Sequence, residues 1–374
     1  MNYRDLLSII PKDIVVNHIF PYLYEPRYKL LDWIPIEKLN WDVLSAEPKA
    51  IHLLESNLEK SKLGLEECKI SWYDLSKNPS AIHLLEDNLE KSKLGLEECK
   101  INWRNLSLNP SAINLLEDNI KKSKLGLEKC KIDWIELCKN PKAIHLLEEN
   151  LDKINWVSLT YNSLAINLFN YFCSLDKNQI VYNGQTKEDI EKYIWYNLSR
   201  KPEFIKLLEA NLEKVNWNML SENPAAIHLL EANPDKINWE YLSLNPKAIH
   251  LLEANPDKID WENLSLNISA IHLLESNQEK VKLGLEDSKI KWEHLSANPK
   301  AVYSLTTNRM SLLEDNQEKI DWLSLSENPE AIHLLKNNQN NIYWGWLTTN
   351  SSIFEIDNKE TYKYYNELYE YLKS

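Results

Sequence analysis

Twelve tryptophans punctuate the chain, and each has a leucine three residues later: Trp41, Trp72, Trp103, Trp134, Trp156, Trp195, Trp217, Trp239, Trp261, Trp292, Trp322 and Trp344. The intervals between them are 31, 31, 31, 22, 39, 22, 22, 22, 31, 30 and 22 residues, a 22-residue unit that in places carries about nine extra residues. Two copies of the joint between units, "IHLLEANPDKINWEYLSLN" and "IHLLEANPDKIDWENLSLN", differ at only two of nineteen positions. An active site needs unlike groups at one place, whereas repetition supplies like groups at regular intervals. A fixed period of this size therefore predicts a solenoid of stacked units.

One unit reads as two short helices. Asn216 stands where its side-chain oxygen meets free backbone N–H groups, and Asp260, Asp133 and Ser71 repeat that chemistry, so the first helix begins at the tryptophan. Trp217, Leu220 and Ser221 share one face, which makes tryptophan and leucine core. The last of the trio is Ser in nine units, Thr in two (Thr160, Thr348) and Cys in one (Cys138), a position with room only for a small side chain where helices approach closely. Asn223-Pro224 then opens a second helix, with Pro at that place in nine of the twelve units. Ala226, Ile227, Leu229 and Leu230 form its apolar arc, with His228 opposite.

Asn233 returns to the apolar side at the helix end. A buried ladder is expected through this column, which comprises Asn57, Asn88, Asn119, Asn150, Asn211, Asn233, Asn255 and Asn277. Helices below about 12 residues are marginal alone in water, so stacking must stabilise them. Truncating a core tryptophan costs ~3–5 kcal/mol, and each is expected to be a main contributor to its unit.

The expected fold is all-α: an elongated α-solenoid of about twelve stacked two-helix units, with a 22-residue unit extended in places to 31 and helical caps at both ends. Residues 1–32 form an N-terminal helical segment, 33–350 the tandem-repeat solenoid and 351–374 a C-terminal capping helix. In the last, Tyr362, Tyr365, Tyr369 and Leu372 share a face suited to covering the final unit. Long units insert "SKLGLEECK" or a variant. Gly64, Gly95, Gly126 and Gly284 there end a helical turn or permit positive φ, so the segments protrude as a ridge on three consecutive units and one later unit. The stretch before Trp195, with Gly184 marking a turn, is the candidate for a hinge or private binding element.

Composition bounds the function. Six glycines leave little material for phosphate-cradling loops, and a net charge of −13 opposes nucleic acid. Neither a membrane-spanning apolar run nor a signal-peptide pattern is present, and the five cysteines contain no C-x-x-C, so a reducing, intracellular and cytoplasmic location is expected. The histidine column (His52, His83, His145, His228, His250, His272, His333) carries His-x-x-Glu in all but its last copy. Zinc ligands must converge to ~2.1 Å, while neighbouring units stand ~10 Å apart, so the column reads as a polar surface or as unit-to-unit hydrogen bonding. Cys68, Cys99 and Cys130 read as small, partly buried side chains. The pair after each tryptophan (Tyr73 and Asp74, Arg104 and Asn105, Glu240 and Tyr241, Glu262 and Asn263) reads as exposed and varies with no basic theme. The expectation is a chain without catalytic residues, cofactor or metal, binding neither nucleic acid nor membrane, and acting as a protein-interaction scaffold of open oligomeric state.

Two resemblances add to this. "IPKDIVVNHIFPYL", residues 10–23, resembles the first part of the F-box: Pro11, Asp13, Ile14, Val15, Ile19, Phe20 and Leu23 match it in type, with one extra residue before Ile19. The resemblance implies docking through Pro11, Ile14, Val15, Ile19, Phe20 and Leu23 to ubiquitin-ligase core subunits, with a simple solenoid cap as the other reading. The repeat, clearest in "LSENPAAIHLLEANPDKINW", resembles tandem-repeat proteins of large DNA viruses of protists. That resemblance implies a location in the host cell and leaves a structural virion or filament component open.

Overall fold

The computed structural model describes residues 10–182, 184–303 and 311–373; residues 1–9 of the expected N-terminal segment and Asn183 of the long insertion lie outside them. It is an elongated, mostly helical array of paired helices stacked unit on unit, with no closed sheet or barrel among the described residues. In a short unit a first helix such as Trp217–Glu222 leads through Asn223-Pro224 into a second, Ile227–Ala232, and a single turn, Pro234–Lys236, leads to the next cap. The caps form as the sequence predicts: Asn216, Asp260, Asp133 and Ser71 each accept a backbone N–H from the first turn. In the long units the second helix runs to twelve residues, as in Ile51–Lys62, and Gly64 ends it at φ +69°.

Four interactions recur at the joints. All nine serines of the small-residue column are buried. Each hydroxyl donates to the carbonyl of its own tryptophan at 2.6–2.9 Å. Each also accepts the backbone N–H of the next unit's cap residue at 2.9–3.1 Å. Small size was therefore half of the requirement, and a hydroxyl that both donates and accepts was the rest.

Second, the asparagine that opens the second helix caps it with Oδ1 and reaches back with Nδ2. Asn245 Nδ2 donates to the carbonyls of Ser221 and Asn223 in the preceding unit, both at 3.0 Å. This is the buried ladder, and it runs through a different column from the expected one. Asn57, Asn88, Asn119 and Asn277 are buried and Asn150, Asn211, Asn233 and Asn255 half-buried. They bond within their own units, Asn57 to the backbone of Glu67 and Lys69 and Asn233 to the Leu229 carbonyl.

Third, the tryptophans are less deeply placed than expected. Trp156 and Trp195 are buried, but the other ten are half-buried. Nine of the twelve rings have the ammonium of a lysine from the next unit's entry segment at 4.4–5.6 Å from the ring centroid. The fourth contact, between histidine and glutamate, is described with the surface below.

The array bends until its ends meet. Asn40 N–H donates to Thr348 Oγ1 at 3.1 Å and the Lys38 ammonium lies 4.5 Å from the Trp344 ring, so the last and first units repeat the hydroxyl and the lysine–tryptophan contacts of consecutive ones. The last unit is completed by the other end of the chain. β1 (Tyr28–Leu30) pairs antiparallel with β4 (Phe354–Ile356), and Leu39 is buried at the place, two residues before the tryptophan, that isoleucine takes in nine of the other eleven units. The exposed area of 20217 Å² exceeds the roughly 15,500 Å² of a compact globule of 44.0 kDa, as a curved array of thin units requires.

The two end segments are helical and pack against each other. Val15, Val16 and Phe20 bury against Tyr365 and Tyr369 of the helix Asn358–Lys373, a core separate from that of the repeats. The tyrosine stripe thus covers the N-terminal segment rather than the last unit, and Tyr362 is exposed. The irregular insertion folds as a hairpin, β2 (Ile180–Tyr182) with β3 (Gln185–Thr186), followed by the helix Lys187–Ser199. Lys187 is buried there, its ammonium donating to the carbonyls of Cys173 and Leu175 at 2.8 and 2.7 Å. Trp156, Phe169, Phe172 and Phe204 cluster beside it, a packed aromatic wedge at the base of the insertion.

Candidate functional site

With the joints spent on stacking, recognition falls to what the joints leave exposed. The residue directly after the tryptophan is the clearest such position: Tyr73, Arg104, Asn218, Glu240, Glu262 and Glu293 are exposed and their chemistry changes from unit to unit, while Val157 and Leu323 at the same place are half-buried. The next residue behaves otherwise. Asp74, Asn105, Tyr241 and Asn263 are half-buried, and Asn105 and Asn263 reach back to the carbonyls of Tyr73 and Glu240 in the preceding units at 2.7 and 3.2 Å. Of each expected exposed pair, only the first member faces solvent fully.

The histidine column forms a ladder. Every histidine of the column except His52 reaches a glutamate on the side of the unit before it: His83 to Glu55 and His228 to Glu209, both 2.8 Å, and His145 to Glu117 at 2.7 Å. Among the described residues no group of three or more His, Cys, Asp or Glu is placed to hold a metal ion. Cys68 and Cys99 are exposed rather than partly buried, because they lie on the return strand of the protruding insertions, while Cys130 is half-buried. Burial pushes the Cys138 thiol up to about 12, so it stays protonated and packs as a small apolar group.

At the meeting of the two ends lies a groove of about 730 Å³ lined by Arg27, Tyr28, Lys49, His52, Glu55 and His83. Both ends of the chain hold Arg27 in place: its N–H donates to Thr361 Oγ1 at 2.8 Å, its carbonyl accepts from Asp357 N–H at 2.8 Å, and its guanidinium lies 4.4 Å from the Tyr364 ring. His52 Nδ1 lies 2.5 Å from Arg27 Nη1 and 2.9 Å from Glu55 Oε2. Burial alone would raise Glu55, but hydrogen bonds from His52 and His83 hold its carboxyl down at about 2, and the same bond raises His83. Arg27, Lys49, His52, Glu55 and His83 each have a charged or hydrogen-bonded partner, an arrangement that fastens the first unit to the chain ends.

Of the F-box-like residues, Val15 and Phe20 are buried against the C-terminal helix, Ile19 is half-buried, and Pro11, Ile14 and Leu23 are exposed. Sequence reasoning did not single out Arg27 or the strand pairing, since three residues at each end carry no repeat signal. Among the described residues no helix is long and apolar enough to cross a membrane. No protein-family model, curated protein or solved structure matches the chain.

Proposed function

We propose that this protein is a non-enzymatic scaffold that binds a protein partner through the exposed row following the tryptophans. One observation carries the reading: the joint residues recur almost unchanged, while the row beside them is exposed in ten of twelve units and there runs through aspartate, tyrosine, arginine, isoleucine, asparagine, glutamate and glycine. A rigid backbone with variable side chains at regular spacing is how helical repeat arrays present an extended binding surface. Three consecutive acidic members, Glu240, Glu262 and Glu293, suit a basic segment on the partner.

A second reading, an F-box-like adaptor, has a specific observation in its favour. Val15–Ile19 forms a π turn within the helical segment, which absorbs one extra residue, and the match to the F-box is offset by one extra residue before Ile19. Pro11, Ile14 and Leu23 remain exposed for such docking. A virion or filament component is the third reading, supported by the resemblance of the repeats alone.

Site-specific photocrosslinking separates these. A crosslinker at Tyr73, Asn218 or Glu240 is expected to capture one defined partner from a eukaryotic lysate, and the triple change Glu240→Lys, Glu262→Lys, Glu293→Lys to abolish capture with the melting temperature unchanged. Capture of a ubiquitin-ligase core subunit from Ile14 or Leu23 favours the adaptor. Equal, non-selective capture from every exposed position would remove the scaffold reading.

A further inference from the structure

Four units end their second helix identically, and the ending is more apolar than its geometry needs. In the first, Leu65 N–H donates to the Lys60 carbonyl at 2.9 Å and Gly64 N–H to the Ser61 carbonyl at 3.0 Å, the paired bonds that close a helix on a left-handed glycine. That turn requires glycine in the middle, and an apolar residue after it is common where it packs back onto the helix. Yet both neighbours are leucine every time: Leu63 and Leu65, Leu94 and Leu96, Leu125 and Leu127, Leu283 and Leu285, each 71–74% exposed. Around them Lys60, Lys62, Glu66 and Lys69 also recur in every copy, and the third and fourth copies have diverged at the other positions. Glu59 and Glu67 of the first tip correspond to Lys121 and Lys129 in the third, and Ser61 and Cys68 to Val281 and Ser288 in the fourth, while Leu-Gly-Leu stays.

The tips are also held stiffly outward. Asn57 accepts the Lys69 N–H and donates to the Glu67 carbonyl, and Asn88 does the same for Lys100 and Glu98, so the return strand is tied to the helix. Six exposed leucines on three consecutive units thus form a fixed apolar row.

We propose that this row is a homodimer interface in which two copies of the chain meet tip to tip, antiparallel. Three observations select a second copy. A row of identical tips at unit spacing finds its own period only in another such row, and a two-fold axis through the middle tip lets each side serve both copies. Six leucines at roughly 100 Å² each place roughly 600 Å² of apolar surface on each copy, so two rows bury roughly 1,200 Å², the lower bound of stable specific interfaces. The charges fit the antiparallel order. The first tip balances Glu59, Glu66 and Glu67 against Lys60, Lys62 and Lys69, whereas the third sets Lys121, Lys122, Lys124, Lys129 and Lys131 against Glu128 alone, so the antiparallel order places the lysine-rich tip on the balanced tip of its mate and avoids the like-charge contact of a parallel order. The fourth tip, alone on its side of the array, has no such row and serves as a built-in control.

Sedimentation equilibrium on the full chain tests this. Wild type is expected at twice the chain mass of 44.0 kDa. Leu94→Ser with Leu96→Ser, at the two-fold, is expected to weaken dimerisation at least ten-fold with the melting temperature unchanged. Leu283→Ser with Leu285→Ser is expected to leave the dimer intact. A wild type that stays monomeric at ~100 μM, or a dimer that survives loss of the leucines at all three consecutive tips, overturns the proposal. Flotation of a monomeric wild type with anionic phospholipid vesicles, lost in Leu94→Ser with Leu96→Ser, would overturn it in favour of a lipid surface.

Discussion

At the residue scale, three side chains do most of the work of each joint, and each is satisfied on two sides. The serine hydroxyl donates within its unit and accepts from the next; the opening asparagine caps with its oxygen and bridges with its amide; the tryptophan packs one face inward and takes a lysine on the other. Losing a buried donor leaves its acceptors unpaired at ~1–3 kcal/mol each. We therefore expect Asn245→Asp, which keeps the cap oxygen but turns a carboxylate toward two buried carbonyls, to destabilise the array at least as much as Trp239→Ala. The half-buried Trp239 should cost about 2–3 kcal/mol, below the ~3–5 of a fully buried ring. Urea unfolding of both variants checks the order, and an Asn245→Asp protein as stable as wild type would contradict the ladder. The sequence held a cue to this ladder. Asn162, Asn267 and Asn350 keep the asparagine where the following proline is absent, so proline capping alone does not account for it.

At the element scale, helix starts and stops were legible because they are local. Asn, Asp or Ser at the caps, Pro in the first turn and Gly after the last one act on backbone groups within a few residues. The histidine and glutamate rows were legible only as a column. Their partners lie one unit away, and pairing depends on how far the second helices diverge. At the first joint this pairing sets a pH response. Glu55, lowered from 4.5 to about 2, contributes stability that is complete above pH 4.5 and is lost as pH falls towards 2. His83, raised above 6.5, contributes stability that is complete below pH 6.5 and is lost as pH rises through its folded value. Both are present together between pH 4.5 and 6.5. His83→Gln is expected to flatten the alkaline side of the melting-temperature profile and to lessen, without abolishing, the acid loss, since His52 still bonds Glu55. An unchanged alkaline limb would show that the pair contributes nothing.

At the scale of the whole molecule, closure is the main feature. The asparagine ladder is absent from the joint where the ends meet, since Glu47 stands in place of asparagine, and from the irregular unit, which has Lys201. At the first place β1, β4 and the terminal helices take over; at the second, the aromatic wedge does. Removing residues 354–374 deletes β4 and the helix that covers Val15 and Phe20, and we expect the array to open. Small-angle scattering should then show a larger radius of gyration with helix content otherwise kept. An unchanged radius would mean that Asn40–Thr348 and Lys38–Trp344 hold the ends without the strands.

By itself, the sequence determined the unit, its two helices, their caps, the leucine core and the number of copies, because all of these follow from side chains acting within 22 or 31 residues. It left open how deep the tryptophans sit, which asparagine column bridges units and which residue after each tryptophan stays exposed. These depend on the approach of neighbouring units, a distance that no single unit encodes. Only the tertiary structure decided that the ends meet. A small, constant rotation at each joint accumulates over twelve units, and the sum brings Tyr28 opposite Ile356 across more than three hundred residues of chain.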